Sequence, residues 1–179
     1  MKFKYFKKIS ILLISILSLS IIGCNETFNK QEKTSNVADA NLNTLLEYKD
    51  TYVGDNSAIG NIISNLPAHI YNTGFQLKTT LEPYEITLNY DKFKDVSIIF
   101  DDNSSIISPF KDVIKNNAMI IISLVENVDI VNFNIDDSIT ITYERNTLID
   151  SYKDDYGNNL EEISKNSFAL EEFIKTNKD

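Results

Sequence analysis

The chain has 179 residues, room for one compact domain, and its 42% hydrophobic and 24% charged side chains are the balance of a sequence that buries a core. Its 17 basic and 26 acidic groups give a net charge of −9, which repels nucleic acid, so no nucleic-acid partner is expected. Five Gly leave no room for a phosphate-cradling loop or a dinucleotide fingerprint, and one Cys with one His supplies neither a zinc set nor a disulfide, so no cofactor and no metal are expected.

Lys2, Lys4, Lys7 and Lys8 precede 14 residues of Ile, Leu and Ser from Ile9 to Ile22. A basic segment followed by an apolar run shorter than the roughly 20 residues of a spanning helix is the pattern of a signal peptide. It stops at Ile21-Ile22-Gly23-Cys24, which resembles the bacterial lipobox, where the chain is cut before a Cys linked to diacylglycerol. Residues 1–23 are therefore expected to be a lipoprotein signal peptide and Cys24 the lipidation site; the alternative is a plain secretory signal that contains a Cys. At ~0.8 kcal/mol for each buried CH₂, two acyl chains hold a protein persistently on a membrane. Loss of residues 1–23 leaves 13 basic and 26 acidic side chains, 13 − 26 = −13. Asn25 to Asp39 is polar, so residues 24–39 read as lipidated Cys and flexible tether, and residues 40–175 as a single domain on the extracytoplasmic face of the cell membrane.

Leu42, Leu45 and Leu46 form the stripe of a short helix ending near Lys49. Asp55, Asn56 or Ser57 can cap a second helix, Gly54 permits the turn before it, and Ile59, Ile62, Ile63 and Leu66 give it an apolar face until Pro67. Period two then takes over. Phe75 and Leu77, a Glu82-Pro83 turn, and Tyr84, Ile86, Leu88 and Tyr90 predict a hairpin, and Val96 to Phe100 is a candidate further strand. From Pro109 to Val128 the apolar residues fall on one face and predict the central buried helix. Val131, Phe133 and Ile135, a turn at Asp136-Asp137, and Ile139, Ile141 and Tyr143 predict a second hairpin. Arg145 to Tyr152 is a candidate short helix, and Asn159 with Glu162 forms a capping box for one last helix reaching Phe173. The expected architecture is α+β and two-layered: a four-stranded antiparallel sheet of two hairpins with helices packed on one face.

No catalytic residue is assigned. Ser108-Pro109-Phe110-Lys111 matches the Ser-x-x-Lys of penicillin-recognising enzymes, but the accompanying Ser-Asp-Asn and Lys-Thr-Gly are missing, and the other reading is a helix start with Ser108 near its cap. His69 has no partner set by spacing, and Asp101-Asp102, Asp136-Asp137 and Asp154-Asp155 lack calcium-loop spacing and read as solvated turns. The remaining candidate is the loop of Tyr48, Lys49, Tyr52, Gly54, Asp55, Asn56 and Ser57. Free N–H groups at a helix start and nearby Tyr hydroxyls could hold a carboxylate or a sugar; the alternative is a tight turn, a capped helix and two packed Tyr.

Tyr48-Lys49-x-x-Tyr52-Val53-Gly54-Asp55-Asn56-Ser57, Gly60-Asn61-Ile62-Ile63, Asn65-Leu66-Pro67, Leu77-x-Thr79, Glu82-Pro83-Tyr84 and Asn127-Val128-Asp129 together resemble the bacterial domain of unknown function 4825 over about Ala40 to Ile174. Glu85 stands where that family would place Gly. The resemblance implies a domain found in lipoproteins and as the extracytoplasmic part of some BlaR-type membrane metallopeptidases. It implies a location and a sensory or accessory role, with no activity to carry over. The expected function is a membrane-anchored, non-enzymatic binding domain for an envelope protein or ligand. The alternative is a small extracytoplasmic hydrolase acting on the cell envelope through carboxylates or Ser.

Overall fold

In this computed structural model, which describes residues 37–91, 94–136 and 138–176, chain order runs β1 (Val37–Ala40), α1 (Leu42–Leu45) continuing into a 3-10 turn (Leu46–Tyr48), and α2 (Asn56–Asn65). A second 3-10 turn (His69–Tyr71) leads to β2 (Asn72–Lys78), β3 (Glu85–Tyr90), β4 (Asp95–Phe100), β5 (Ser105–Pro109) and α3 (Phe110–Leu124). The chain closes with β6 (Ile130–Ile135), β7 (Ile139–Glu144), α4 (Arg145–Tyr156), α5 (Leu160–Lys165) and α6 (Ser167–Thr176). The expectations for the signal peptide, Cys24 and most of the tether lie outside the described residues. β1 takes in the last residues of the stretch read as tether.

Local chemistry explains most element ends. Asn41 caps α1 by accepting from the Thr44 N–H, and Asp55 caps α2 by accepting from the Ala58 N–H. Gly157, at φ +72°, closes α4 in the left-handed conformation that glycine adopts without cost. The single last helix expected from the sequence is two helices. Asn166 ends α5, and its side chain accepts from the N–H groups of Phe168 and Ala169 to start α6.

The fold is α+β, but its sheets are mixed, which corrects the purely antiparallel four-stranded expectation. Both predicted hairpins form, in the order β2-β3-β6-β7, yet they join through parallel β3 and β6, with Glu85 beside Ile130 and Tyr90 beside Ile135. The candidate strand at Val96–Phe100 is β4, and it belongs to a second, three-stranded sheet in which β1 lies parallel and β5 antiparallel to it. The connection explains the parallel join. After β3 the β4–β5 hairpin turns back on itself, and then α3, 15 residues at ~1.5 Å each, travels about 22 Å beside strands about 20 Å long. The chain re-enters the sheet at the end where β3 began, and a crossover of that length is what parallel pairing requires.

Alternation then separates core from surface. Ile86, Leu88 and Tyr90 of β3 and Val131, Phe133 and Ile135 of β6 are buried, and α3, ten of whose residues are buried, packs against β5 and β6. The other face of the four-stranded sheet is a polar ladder. The Asn134 amide donates to Asn89 at 3.1 Å and accepts from the Thr140 hydroxyl at 2.8 Å, and Asn132 accepts from Thr142 at 2.8 Å.

Candidate functional site

The Tyr48–Ser57 loop is bound to the C-terminal end of α3. Thr51 bridges Val125: its N–H donates to Leu124 C=O at 3.1 Å, and its C=O accepts from the Glu126 N–H at 2.8 Å. The Thr51 hydroxyl donates to Tyr48 C=O, and the Val53 N–H donates to the Asn127 side chain at 2.8 Å, which holds the Val53 side chain in the core. Tyr48 packs half-buried against that core. Lys49 and Asp50 pair with each other at 2.5 Å. Asp55 caps α2, Asn56 and Ser57 stand exposed in its first turn, and nothing lies within 4 Å of where a Cβ on Gly54 would sit. Tyr52 is the large apolar-bodied side chain of this loop that turns outward, 55% exposed, with its hydroxyl bonded to Glu126. That hydrogen bond, the Glu126 charge, slight burial and the Asp50 charge raise the Tyr52 pKa.

The other motif segments meet at the same place. The Asp129 carboxylate accepts from the Tyr84 N–H at 2.7 Å, and Tyr84 C=O accepts from the Asp129 and Ile130 N–H groups, so the Glu82-Pro83-Tyr84 turn is tied to the exit from α3. A helix ends with unpaired carbonyls and the negative pole of its dipole. Arg145 answers both. Its Nε donates to Val128 C=O at 2.7 Å, and its Nη2 reaches Val125 at 2.5 Å, Glu126 at 3.1 Å and Ile122 at 3.2 Å. Burial lowers the Arg145 pKa, and the charges of Glu161 and Asp129 oppose that shift. Sequence reasoning missed this residue, although a signal was present: it is the one Arg among 17 basic side chains. A composition that favours Lys so heavily retains Arg where a planar fork of donors is needed.

The remaining candidates are dispersed. Ser108 lies at the start of α3, next to Pro109 in the cap position, as the helix-start reading has it, and is a buried residue of β5. His69 places Nδ1 at 3.1 Å from Leu66 C=O; a carbonyl only accepts, so Nδ1 is the donor of this bond. It borders a polar cleft of about 450 Å³ with Asp39, Asn41, Asn65, Asp101 and Asn103. Asp101 and Asp102 accept from the N–H groups of Asn43 and Ser104, Asp136 lies in the β6–β7 turn, and Asp155 lies 3.6 Å from Lys115. Asp137 lies outside the described residues. Among the described residues no group of three or more His, Cys, Asp or Glu side chains is placed to hold a metal ion.

Among the described residues a larger cleft lies elsewhere, a groove of about 970 Å³ between β5 with the N-terminal half of α3 on one side and α4 with α6 on the other. Its far wall is aromatic. Tyr156 lies against Tyr152 with ring centroids 4.7 Å apart, and Tyr152 meets Phe173 edge-on at 5.6 Å. Ile107 and Tyr156 are more than half exposed at its margin. The sequence carried no signal for this groove, because its walls lie more than 30 residues apart in the chain.

The model of a domain of unknown function (DUF4825) matches residues 45–147, more than half of the chain, and takes in every contact described above at the C-terminal end of α3. Tyr152, Tyr156 and Phe173 lie beyond the matched residues. No curated protein and no solved structure matches the chain.

Proposed function

The chain belongs to the DUF4825 family, and from that premise we propose that it is a lipoprotein held by Cys24 on the extracytoplasmic face of the cell membrane, where it acts as a non-enzymatic binding, sensory or accessory domain for an envelope protein. The observation that carries the reading is the groove beside β5: a concavity of this size, in which Tyr152, Tyr156 and Phe173 stand opposite the polar Asp112, Lys115 and Asn116, offers both apolar contact and orienting polar groups to a partner. The anchor rests on the basic and apolar leader that stops at Ile-Ile-Gly-Cys24.

The rival reading, a small hydrolase of the cell envelope, would use Ser108 or a carboxylate with a base. Ser108 borders the groove whereas His69 borders the separate polar cleft, so the two do not share a site. Crosslinking in intact membranes followed by purification tests the proposal. One stoichiometric envelope partner is expected. No partner, together with turnover of a cell-wall fragment, would replace the binding reading with the hydrolase. Metabolic labelling with an alkynyl fatty acid tests the anchor: the wild type takes up label and Cys24→Ala does not, and label in the variant sinks the assignment.

A further inference from the structure

Among the described residues β5 is an edge of the three-stranded sheet, paired with β4 alone. Its ladder to β4 alternates: the Phe100 N–H donates to Ser104 C=O at 3.0 Å, and the Phe110 N–H donates to Lys94 C=O at 2.8 Å. With Ile106 opposite Ile98 and Ser108 opposite Val96, the backbone groups of Ile106 and Ser108 face β4, and those of Ser105 and Ile107 point away from it. Pro109 follows in the outward phase with a C=O and no N–H. The outward row thus offers the N–H and C=O of Ser105 and Ile107 to a further strand.

Edges left in this state are normally blunted by a bulge, a Lys or a covering element. β2 has both of the first two, a register shift between Asn72 and Gly74 and Lys78 at its end. β5, Ser-Ile-Ile-Ser-Pro, has neither; its one blunting residue is Pro109 at the strand's end, past the outward pair Ser105 and Ile107, and beside it runs the groove with Tyr152, Tyr156 and Phe173 on its far wall. The side chains of a strand alternate, so a strand paired with β5 would send every second side chain into that groove.

Charge identifies the occupant. Acidic side chains outnumber basic ones 26 to 17 over the chain; at the groove Asp112 and Lys115 both line the wall, Lys115 lies 3.6 Å from Asp155, and Lys153, Asp154 and Asp155 stand on α4 between the two groove tyrosines, which leaves three carboxylates against two ammonium groups. A second copy would bring the same negative charge to the interface, whereas a basic segment complements it. We propose that β5 takes up, as an added antiparallel strand, an extended basic segment of another polypeptide whose alternate apolar side chains fill the groove beside Tyr152, Tyr156 and Phe173. This rests on the binding reading and deepens it by naming the surface and the form of the partner.

In such a strand the residues opposite Ser105 and Ile107 donate to β5 and carry the outer, basic side chains, while the residues between them enter the groove. The test uses the full chain and a fluorescein-labelled peptide, acetyl-Lys-Val-Lys-Phe-Lys-Val-Lys-amide, followed by fluorescence polarisation at low ionic strength. A twin N-methylated on its Lys amides keeps charge and side chains but cannot donate to β5, and it should bind about tenfold more weakly. Ile107→Pro removes an outward N–H and leaves the ladder to β4 intact, so it should also bind about tenfold more weakly with an unchanged melting temperature. Tyr156→Ser, on the exposed wall, should weaken binding about fivefold and guards against a backbone effect of Pro. Hydrogen exchange at the Ser105 and Ile107 amides should slow when the parent peptide binds. Equal binding by the methylated twin, or by folded Ile107→Pro, would reduce the interaction to charge and overturn the proposal. Loss of a chain dimer in Ile107→Pro would assign the edge to a second copy and overturn it equally. If crosslinked membranes yield the same partner with wild type and Ile107→Pro, strand addition falls and the binding reading stands; if wild type yields none, both fall.

Discussion

At the C-terminal end of α3 four carbonyls converge on the Arg145 guanidinium, and Thr51, Asn127 and Asp129 tie two further loops to the same turn. At the N-terminal end Pro109 provides no side-chain cap, the neighbouring strand turns the backbone groups of Ser105 and Ile107 outward, and an aromatic groove lies alongside. One end of the helix has used nearly all its polar groups on itself; the other has them to offer. The lesson is that the motifs most conspicuous in the sequence build a joint. The groove proposed for a partner draws its far wall from residues beyond the family match.

Four measurements sharpen or break this contrast. The largest effect is expected at Arg145. Arg145→Met leaves several carbonyls of a part-buried helix end without a donor and should cost about 3 kcal/mol in a denaturant melt. Arg145→Lys should recover less than half of that, because one ammonium cannot reproduce the fork. A loss below about 1 kcal/mol for Met would mean that water replaces the guanidinium and that the joint is not what holds this end.

Next comes the middle of the helix, where the fully buried Tyr90 hydroxyl lies 3.5 Å from the Asn117 amide. Burial pushes the Tyr90 pKa far above its usual value, while the Asn117 hydrogen bond opposes the shift. The folded state therefore keeps the phenol neutral while the unfolded chain ionises it near pH 10. This contribution to stability is complete below pH 10 and is lost as pH rises further, at about 1.4 kcal/mol for each pH unit. Tyr90→Phe should flatten that alkaline limb relative to wild type, and parallel limbs would refute the assignment.

Asp55 should matter less. Asp55→Ala removes the α2 cap at a cost of about 1 kcal/mol, and Asp55→Ser should restore most of it. A Ser variant that melts like wild type but no longer recovers the crosslinked partner would return the loop to a binding role. Smallest of all, Tyr156→Ser at the groove should change stability by no more than about 0.5 kcal/mol, since its ring is 63% exposed. A larger loss would show that the aromatic wall belongs to the core and would erase the difference between the two ends.

Much of this protein could be read residue by residue. The amphipathic stripe of α3, the alternation in both hairpins and the caps at Asp55 and Asn159 depend on neighbours within a few positions, so periodicity and side-chain chemistry determined them from the sequence itself. The tyrosine loop was legible as a special segment, but not as the segment that closes on Asn127, 74 residues from Val53. Arg145 could be noticed as the sole Arg and not as a helix cap, because its carbonyl partners lie 17 to 23 positions away. Tertiary structure decided the parallel registers of β3 with β6 and of β1 with β4, the second sheet, the edge position of β5 and the groove beside it. A hydrophobic pattern states which face of an element is buried; which strand lies beside it depends on where the intervening chain returns, and here that was decided by the length of α3.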